Sequence, residues 1–403
     1  MILSLSWKNI WRSKRRSFVV MGAIIVGVWA LIFLFSFLNS FNEAYLRNAI
    51  NYEYSHIQVH HRSYLTEPDV KFSITDKEKM ISALSSNSMV QAYSARQLVS
   101  GMIASSKANS GVMIYGVSPA DEAQVTALDQ QLVEGDYFAE IKRNPVLISK
   151  KTADKLKIGL RSKVVLTFQN IEGEITSGAF RVTGIFDSKS PKINESVIYV
   201  RQSDISRLVG FEGVNEIAIL ASQLREIPQI EEDLRREFGE VTIRRYNIVA
   251  PEFDLLEQQS TVSKQMLTTI IMLALLFGII NTMLMAVLER TKEIGMLRSV
   301  GMQKLRVFGM IIWETLLLSL VAAPVGLMMG FVTNLYFGER GMDLSRYAES
   351  LKEYGYDSIY YPSLDNSAYY ILMLVVVVTA LIGAIYPAWK AIQLNPLEAI
   401  RKL

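Results

Sequence analysis

Residues that could support catalysis or metal binding are sparse in this sequence. Its three histidines, His56, His60 and His61, stand close together, and imidazole is a common zinc ligand. In a strand, His56 and His60 would share a face but lie about 13 Å apart, at about 3.3 Å per residue. One zinc ion needs ligand nitrogens about 2 Å away. We therefore interpret these histidines as ordinary polar strand residues and predict no metal site.

Other catalytic patterns are also missing from the sequence. It has no G-x-x-x-x-G-K-[ST] phosphate loop, no H-E-x-x-H and no G-x-S-x-G motif. The adjacent Ser149-Lys150 and Ser263-Lys264 pairs are of a kind that arises by chance. With no cysteine, thiolate chemistry is excluded, and a net charge of +3 is too small to indicate nucleic acid. We predict a chain that is not an enzyme and binds no cofactor.

The most distinctive segment is residues 289–301, which lie between two long apolar runs. The segment carries two acids and three bases, too many for a membrane interior. Ile294, Leu297, Gly301 and Leu305 recur at intervals of three and four, the period of one helix face. One interpretation is an amphipathic helix, spanning 289–306, that docks on a partner. The other is a charged interfacial loop that only anchors its flanking spans.

Four apolar runs predict a multi-pass membrane protein, since about 20 apolar residues cross a bilayer. The first run is longer than the roughly 7–15 apolar residues of a cleaved signal peptide and lacks an Ala-x-Ala site. The predicted spans are 18–41, the end of a helix over 251–288, 307–337 and 367–389. At 1.5 Å per residue the second of these helices is about 57 Å long, against a hydrocarbon core of about 30 Å. We expect its first half to stand outside the membrane as a stalk, with Gly278 a place where it could bend.

Residues 42–250 contain no long apolar run and alternate strand patterns with helical ones. They predict a large α+β domain between the first and second spans. A change of composition at 131–145 is a candidate boundary between two subdomains. The predicted fold is therefore four transmembrane helices with an α+β extracytoplasmic domain.

Basic residues flank the spans at 8–16, 290–306 and 390–402, whereas the loop 338–366 has more acids than bases. By the positive-inside rule, the 1–17 entry helix, the 289–306 helix and the 390–403 tail are cytoplasmic. The large domain is then on the far side.

Two polar residues interrupt the predicted spans. For Glu314 we favour a structural role, reaching headgroups or an arginine, because it lies close to the cytoplasmic end of its span. For Asn281 we favour a hydrogen bond across helices.

Several motifs together resemble one family. Residues 289–301 read E-R-x-x-E-I-G-x-L-R-x-x-G, residues 386–401 read Y-P-x-W-x-A-x-x-x-x-P-x-E-A-I-R, and residues 7–16 are similar to an amphipathic entry helix. These resemble the FtsX/MacB superfamily of ABC transporter permeases. The pieces 114–119, 134–136, 146–156 and 182–186 resemble its lipoprotein-releasing branch in particular.

The resemblance implies a bacterial inner-membrane permease that works with a second copy or paralogue, with membrane lipid and with separate ABC ATPase subunits, which hold ATP and Mg. It implies release of a lipidated or amphipathic substrate, most simply lipoproteins, from the outer leaflet. The implied coupling helix contains Glu289, Arg290, Lys292, Glu293, Ile294, Gly295, Leu297, Arg298 and Gly301. A substrate cavity is placed by position alone at Val28, Phe35, Leu38 and Met266.

Two departures from the family matter. The macrolide-efflux branch carries its ATPase ahead of the first span, but seventeen residues precede it here, so we expect the ATPase on another chain. The loop 170–178 is short and has no proline, unlike the hook that grips a periplasmic carrier in one releasing permease. Alternatives are drug or peptide efflux through an envelope adaptor, transmembrane signalling to a cell-wall hydrolase, and a receptor-like protein with no ATPase.

Overall fold

The computed structural model describes residues 2–12, 14–138 and 144–393. Within these ranges the chain forms two compact units. The helical unit contains residues up to 42, 256–344 and 359 onward, and the α+β unit contains residues 43–255 and 345–358.

The α-helices of the described residues follow in chain order. They are α1 (Ile2–Arg12), α2 (Lys14–Ala49), α3 (Lys77–Ser86), α4 (Pro119–Thr126), α5 (Lys150–Leu156), α6 (Pro191–Ser196), α7 (Gln202–Val209), α8 (Ile227–Glu237), α9 (Tyr246–Val249), α10 (Glu252–Glu289), α11 (Thr291–Ser299), α12 (Lys304–Arg340), α13 (Ala348–Glu353) and α14 (Asn366–Gln393).

The strands of the described residues follow the same convention. They are β1 (Ile57–His61), β2 (Val90–Ala104), β3 (Asn109–Val117), β4 (Leu132–Gly135), β5 (Pro145–Ser149), β6 (Lys163–Gln169), β7 (Ile175–Phe186), β8 (Val197–Arg201), β9 (Glu216–Ala221), β10 (Val241–Arg245), β11 (Met342–Asp343) and β12 (Ile359–Tyr360).

Four helices are long and apolar enough to cross a membrane, and they include most of α2 and all of α10, α12 and α14. The predicted fold class, four transmembrane helices with an α+β domain between the first two, is confirmed. Helix α10 has 38 residues and continues without a break through Gly278. Of the predicted 390–403 tail, residues 394–403 lie outside the described residues.

Small residues let α2 and α12 approach closely. A Cβ on Gly326 would lie 2.8 Å from the Cβ of Val28, and one on Gly330 would lie 2.7 Å from Ile32. Such small residues four apart are typical of packed membrane helices, where they let backbones come together. The Trp29 indole donates a hydrogen bond to Thr333 across the same pair, at 3.0 Å.

A further set of hydrogen bonds inside the helical unit comes from Asn334, a residue that the sequence did not single out. The side-chain amide of Asn334 on α12 donates to the hydroxyls of Ser36 on α2 and Tyr369 on α14, at 2.8 Å for Tyr369. Asn281 is exposed on α10 and forms no such bond with the described residues. The predicted interhelical role of Asn281 is therefore wrong within this chain.

The α+β unit is built on one sheet of order β10-β1-β9-β2-β3-β8-β5-β7-β4, with β6 pairing with β2 and β7. One apolar core lies under β1, β9 and β10 with α3 and α8, and another under β3 and β5–β8. The long β2 contributes to both. The predicted boundary at 131–145 is wrong, because β4 and β5 flank the same strand, β7. The chain instead passes from the first core to the second along β2, and it returns to the first core at β9.

A buried charge cluster joins these parts of the sheet. Arg96 on β2 is 1% exposed, and its guanidinium donates to both oxygens of Glu122 at 2.8 and 2.9 Å and to Glu216 at 2.7 Å. Burial opposes the charge on Arg96, but the two carboxylates raise its guanidinium pKa well above the ordinary value. Burial lowers the pKa of the neighbouring His60.

The connection between α12 and α14 contributes to the α+β unit. Its residues 345–358 are held there by an ion pair between Asp357 and Lys189 at 2.7 Å and by a second pair between Lys352 and Asp187. The Asn48 amide donates to the Gly355 carbonyl at 3.3 Å. The predicted acidic loop 338–366 is thus partly an element of the folded domain.

Candidate functional site

Helix α11 forms the centre of the candidate site, and the predicted 289–306 helix is shorter than expected. Helix α10 continues to Glu289, α11 ends at Ser299, and α12 begins at Lys304. Gly301 lies between them with a φ of 99°, the left-handed conformation in which glycine commonly follows a helix end. The segment is therefore a nine-residue helix followed by a turn.

The predicted apolar face is wrong because α11 ends at Ser299, before Gly301 and Leu305. Ile294 points into the helical unit and is 3% exposed, whereas Leu305 belongs to α12. The exposed apolar side chains are instead Met296, Val300 and Leu305, with Val300 85% exposed and Leu305 78% exposed. Together with the half-buried Leu297, we call these four residues the outer patch.

Arg290 and Glu314 connect the start of α11 to α12. The guanidinium donates to both carboxylate oxygens of Glu314, at 3.1 and 3.4 Å, and the two side chains are 15% and 8% exposed. The sequence predicted that Glu314 would reach headgroups or an arginine, and the structure shows the arginine. A charge this far from water is tolerated because its partner is adjacent.

Two further contacts hold α11. Glu293 pairs with Arg12 of α1 at 2.7 Å, and the two side chains are 41% and 69% exposed. Arg298 donates to the carbonyl of Ile392, in the last turn of α14, at 3.2 Å. A cation at this position donates to a carbonyl that has no partner within its own helix. It also interacts favourably with the negative C-terminal end of the helix dipole. Helix α11 is thus tied to α1, α12 and α14.

An open cavity of about 530 Å³ lies beside α11, between α10 and α12. Arg12, Arg290, Glu293 and Glu314 line it together with apolar side chains that include Met296 and Val300 of the outer patch. The site therefore presents apolar and charged groups on one concave surface.

The other predicted coupling residues differ in their exposure. Glu289, Lys292 and Gly301 are exposed, and Gly295 is buried.

The predicted substrate cavity stays a prediction, and its four residues differ in their burial. Val28 is fully buried against α12, so it does not line a cavity. Phe35 and Leu38 are half-buried on α2, and Met266 is 62% exposed on α10. Hydrogen bonds that the sequence did not reveal hold α2 beside α10 near these residues: Lys264 donates to Asn39 at 3.1 Å, and Asn42 donates to Ser260 at 2.7 Å.

The remaining sequence candidates have local roles in the α+β unit. His56 accepts a hydrogen bond from the Ala221 backbone at 2.9 Å, and the Nδ1 atom of His60 lies 2.9 Å from the Asn215 carbonyl. Among the described residues, no group of three or more histidines and acids could hold a metal ion. The loop 170–178 begins with a tight turn in which the Asn170 side chain accepts from the backbone N–H groups of Glu172 and Glu174.

Two family models match the chain. The FtsX-like permease C-terminal model matches residues 266–396, and the MacB-like periplasmic core domain matches residues 17–237, more than half of the chain. The protein therefore belongs to the FtsX/MacB family of ABC transporter permeases. It is a multi-pass membrane protein with a periplasmic-type domain, and the family implies ATPase partner subunits.

The chain matches its curated relatives at low sequence identity but over most of its own length. The chain is 23% identical to the uncharacterized ABC transporter permease YvrN of Bacillus subtilis, over 82% of this chain and 86% of that one. It is 22% identical to the lipoprotein-releasing system transmembrane protein LolC of Xylella fastidiosa, over 72% of each. It is 26% identical to the macrolide export ATP-binding/permease protein MacB of Nitrobacter winogradskyi, over 69% of this chain and 42% of that one.

Proposed function

We propose that this permease couples to a separate ABC ATPase subunit through the outer patch and the cavity beside α11. The observation that carries the proposal is the exposure of Val300 and Leu305 among basic side chains at one end of the helical unit. Apolar side chains clustered outside a bilayer favour a protein partner. This chain contributes no catalytic group, and ATP and Mg are held by the ATPase.

Movement of the ATPase would reach the spans through the contacts of α11. Arg290 transmits it to α12 and Arg298 to α14. The positive-inside rule places α11 and both termini in the cytoplasm and the α+β unit in the periplasm of a bacterial inner membrane. Helix α10, about 57 Å long against a core of about 30 Å, would then carry motion beyond the membrane.

The substrate that we propose is a lipidated or amphipathic molecule, most simply a lipoprotein, taken from the outer leaflet by a pair of permease subunits. The apolar, exposed face of α10 around Met266 and Phe277 supports lateral movement within the bilayer rather than passage through a polar pore. The similarity to LolC supports the same substrate class. Similarity to MacB supports efflux of a drug or peptide as the second candidate.

The test is affinity purification of wild-type and Val300→Asp permeases from the native host, with mass spectrometry of the retained proteins. We expect wild-type protein to retain an ABC ATPase, and Val300→Asp to lose it while remaining in the membrane. Val133→Asp is the matched control, because Val133 is an exposed valine of the α+β unit. Full ATPase retention by Val300→Asp would overturn the docking surface.

The same wild-type sample tests the substrate. Copurified lipoproteins would support lipoprotein release. An efflux adaptor would favour the second candidate, and a cell-wall hydrolase would replace both with signalling.

A further inference from the structure

A second cavity, separate from the coupling site, lies in the helical unit between α1, α2 and α12. It has a volume of about 340 Å³ and is lined mainly by apolar side chains, including Trp11, Phe18, Val321 and Val325. Gly22 lies in its wall, and a Cβ added there would meet nothing within 4 Å. The cavity is therefore an open groove, which we call the elbow groove.

The length of the elbow groove matches one leaflet. Its wall runs along α2 from Lys14 to Ile25, eleven helical rises or about 16 Å. Half of a hydrocarbon core of about 30 Å is about 15 Å. Phe18–Ile25 and the α12 side of the groove, 317–325, both belong to candidate membrane spans. A single acyl chain of one leaflet fits this extent.

The polar groups stand at one end of the elbow groove only. Lys14 is exposed there and pairs with no carboxylate of the described residues. The hydroxyl of Ser17, which also lies in the wall, donates to the carbonyl of Ile10 at 2.7 Å. Trp7 and Trp11 stand beside this end, half-exposed and edge-to-face at 6.0 Å, an arrangement suited to a headgroup region.

We propose that the elbow groove binds an anionic glycerophospholipid from the leaflet at the basic end of α2. One acyl chain lies along Gly22, and the phosphate faces Lys14. Water is excluded from a groove at this depth, and charge complementarity selects an anionic headgroup over a zwitterionic one. The bound lipid supports α1, whose Arg12 pairs with Glu293 of α11. Lipid binding in the elbow groove is independent of the identity of the transported substrate.

The experiment is native mass spectrometry of the purified full-length permease with added phosphatidylglycerol or phosphatidylcholine of identical acyl chains. Gly22→Leu places a side chain in the groove and should weaken binding of both lipids about tenfold, roughly the value of two buried methylenes. Gly309→Leu is the matched control. Gly309 is a glycine of α12 with open space around it, and it lines neither cavity.

The headgroup is tested separately. Lys14→Gln should reduce the preference for phosphatidylglycerol about fivefold while leaving phosphatidylcholine binding unchanged. Lys8→Gln, an exposed lysine of α1 that does not line the groove, should leave the preference unchanged. Equal lipid binding by Gly22→Leu and Gly309→Leu would overturn the site. A change in oligomeric mass in Gly22→Leu without loss of lipid would also overturn it, because the occupant would then be a second permease.

Discussion

Two groups of ion-paired side chains, each centred on an arginine, lie in different surroundings, one in each unit. Arg96 is 1% exposed and is enclosed by a sheet, with two carboxylates as partners. Arg290 is 15% exposed and pairs with Glu314, which is 8% exposed, at the end of a helix bundle. Arg96 and its carboxylates are buried inside the α+β unit, whereas Arg290 and Glu314 hold a helix that carries exposed apolar residues.

The difference shows how each region resists or permits motion. Separation of either carboxylate from Arg96 would leave a buried charge uncompensated, so the cluster opposes relative motion of β2, β9 and α4. Helix α11 has nine residues, too few to be stable alone. Its position depends on its contacts with α1, α12 and α14. A short helix held by a few polar contacts is suited to move with an attached partner, and the predictions below test that contrast.

The largest effect is expected from Arg96→Met. It leaves Glu122 and Glu216 buried without their cation and should destabilise the α+β unit by about 3–5 kcal/mol. The measurement is the urea concentration at which protease cleaves this unit in the full-length protein. Arg225→Met, an exposed arginine of the same unit, should leave that concentration unchanged.

A triple variant keeps the Arg96 prediction testable if the single variant does not fold. Arg96→Met with Glu122→Gln and Glu216→Gln removes the uncompensated charges and should recover part of the stability. A triple variant less stable than Arg96→Met would contradict the view that unpaired charge is the cause.

A smaller and more local effect is expected from Glu314→Gln. Loss of a charged hydrogen bond should loosen the start of α11 by about 1.5–3 kcal/mol and leave the α+β unit unaffected. The chain has no cysteine, so Ile294→Cys introduces a single buried thiol as a reporter. Its labelling by a thiol reagent should accelerate about tenfold or more in the Glu314→Gln background.

The control for this prediction is Glu339→Gln, the same change at an exposed glutamate of α12. Equal labelling rates in the two backgrounds would show that the ion pair does not hold α11.

The spans and the α+β class could be predicted because apolar runs and alternating patterns are local signals. The charges around Glu293 predict where the candidate site lies. Its geometry did not, because helical periodicity was extended through Gly301, a residue whose left-handed conformation ends a helix. The glycine is visible in the sequence, but its spacing from Ile294 and Leu297 also fits a helix face.

The partners of the site could not be predicted in the same way. The sequence predicts headgroups or an arginine as the partner of Glu314. The partner is Arg290 because α12 packs beside the end of α10 and the start of α11. The same holds for the loop residues 345–358, whose ion pairs with Asp187 and Lys189 cross more than 160 positions of sequence. Long-range pairing carries no local pattern, so Arg96, Glu122 and Glu216 were also missed.

The smallest effect is expected from Arg12→Gln, which removes the most exposed of the ion pairs at α11. Arg12 is 69% exposed, and exposed pairs contribute about 0.2–1 kcal/mol. Labelling of the introduced thiol at Ile294→Cys should therefore accelerate at most about fivefold. The effect should vanish at high salt, which screens exposed charges, whereas the effect of Glu314→Gln should persist because Arg290 and Glu314 are shielded from solvent. An equal response of the two variants to salt would mean that burial does not distinguish the contacts of α11, and the contrast with the Arg96 cluster would then lose its physical basis.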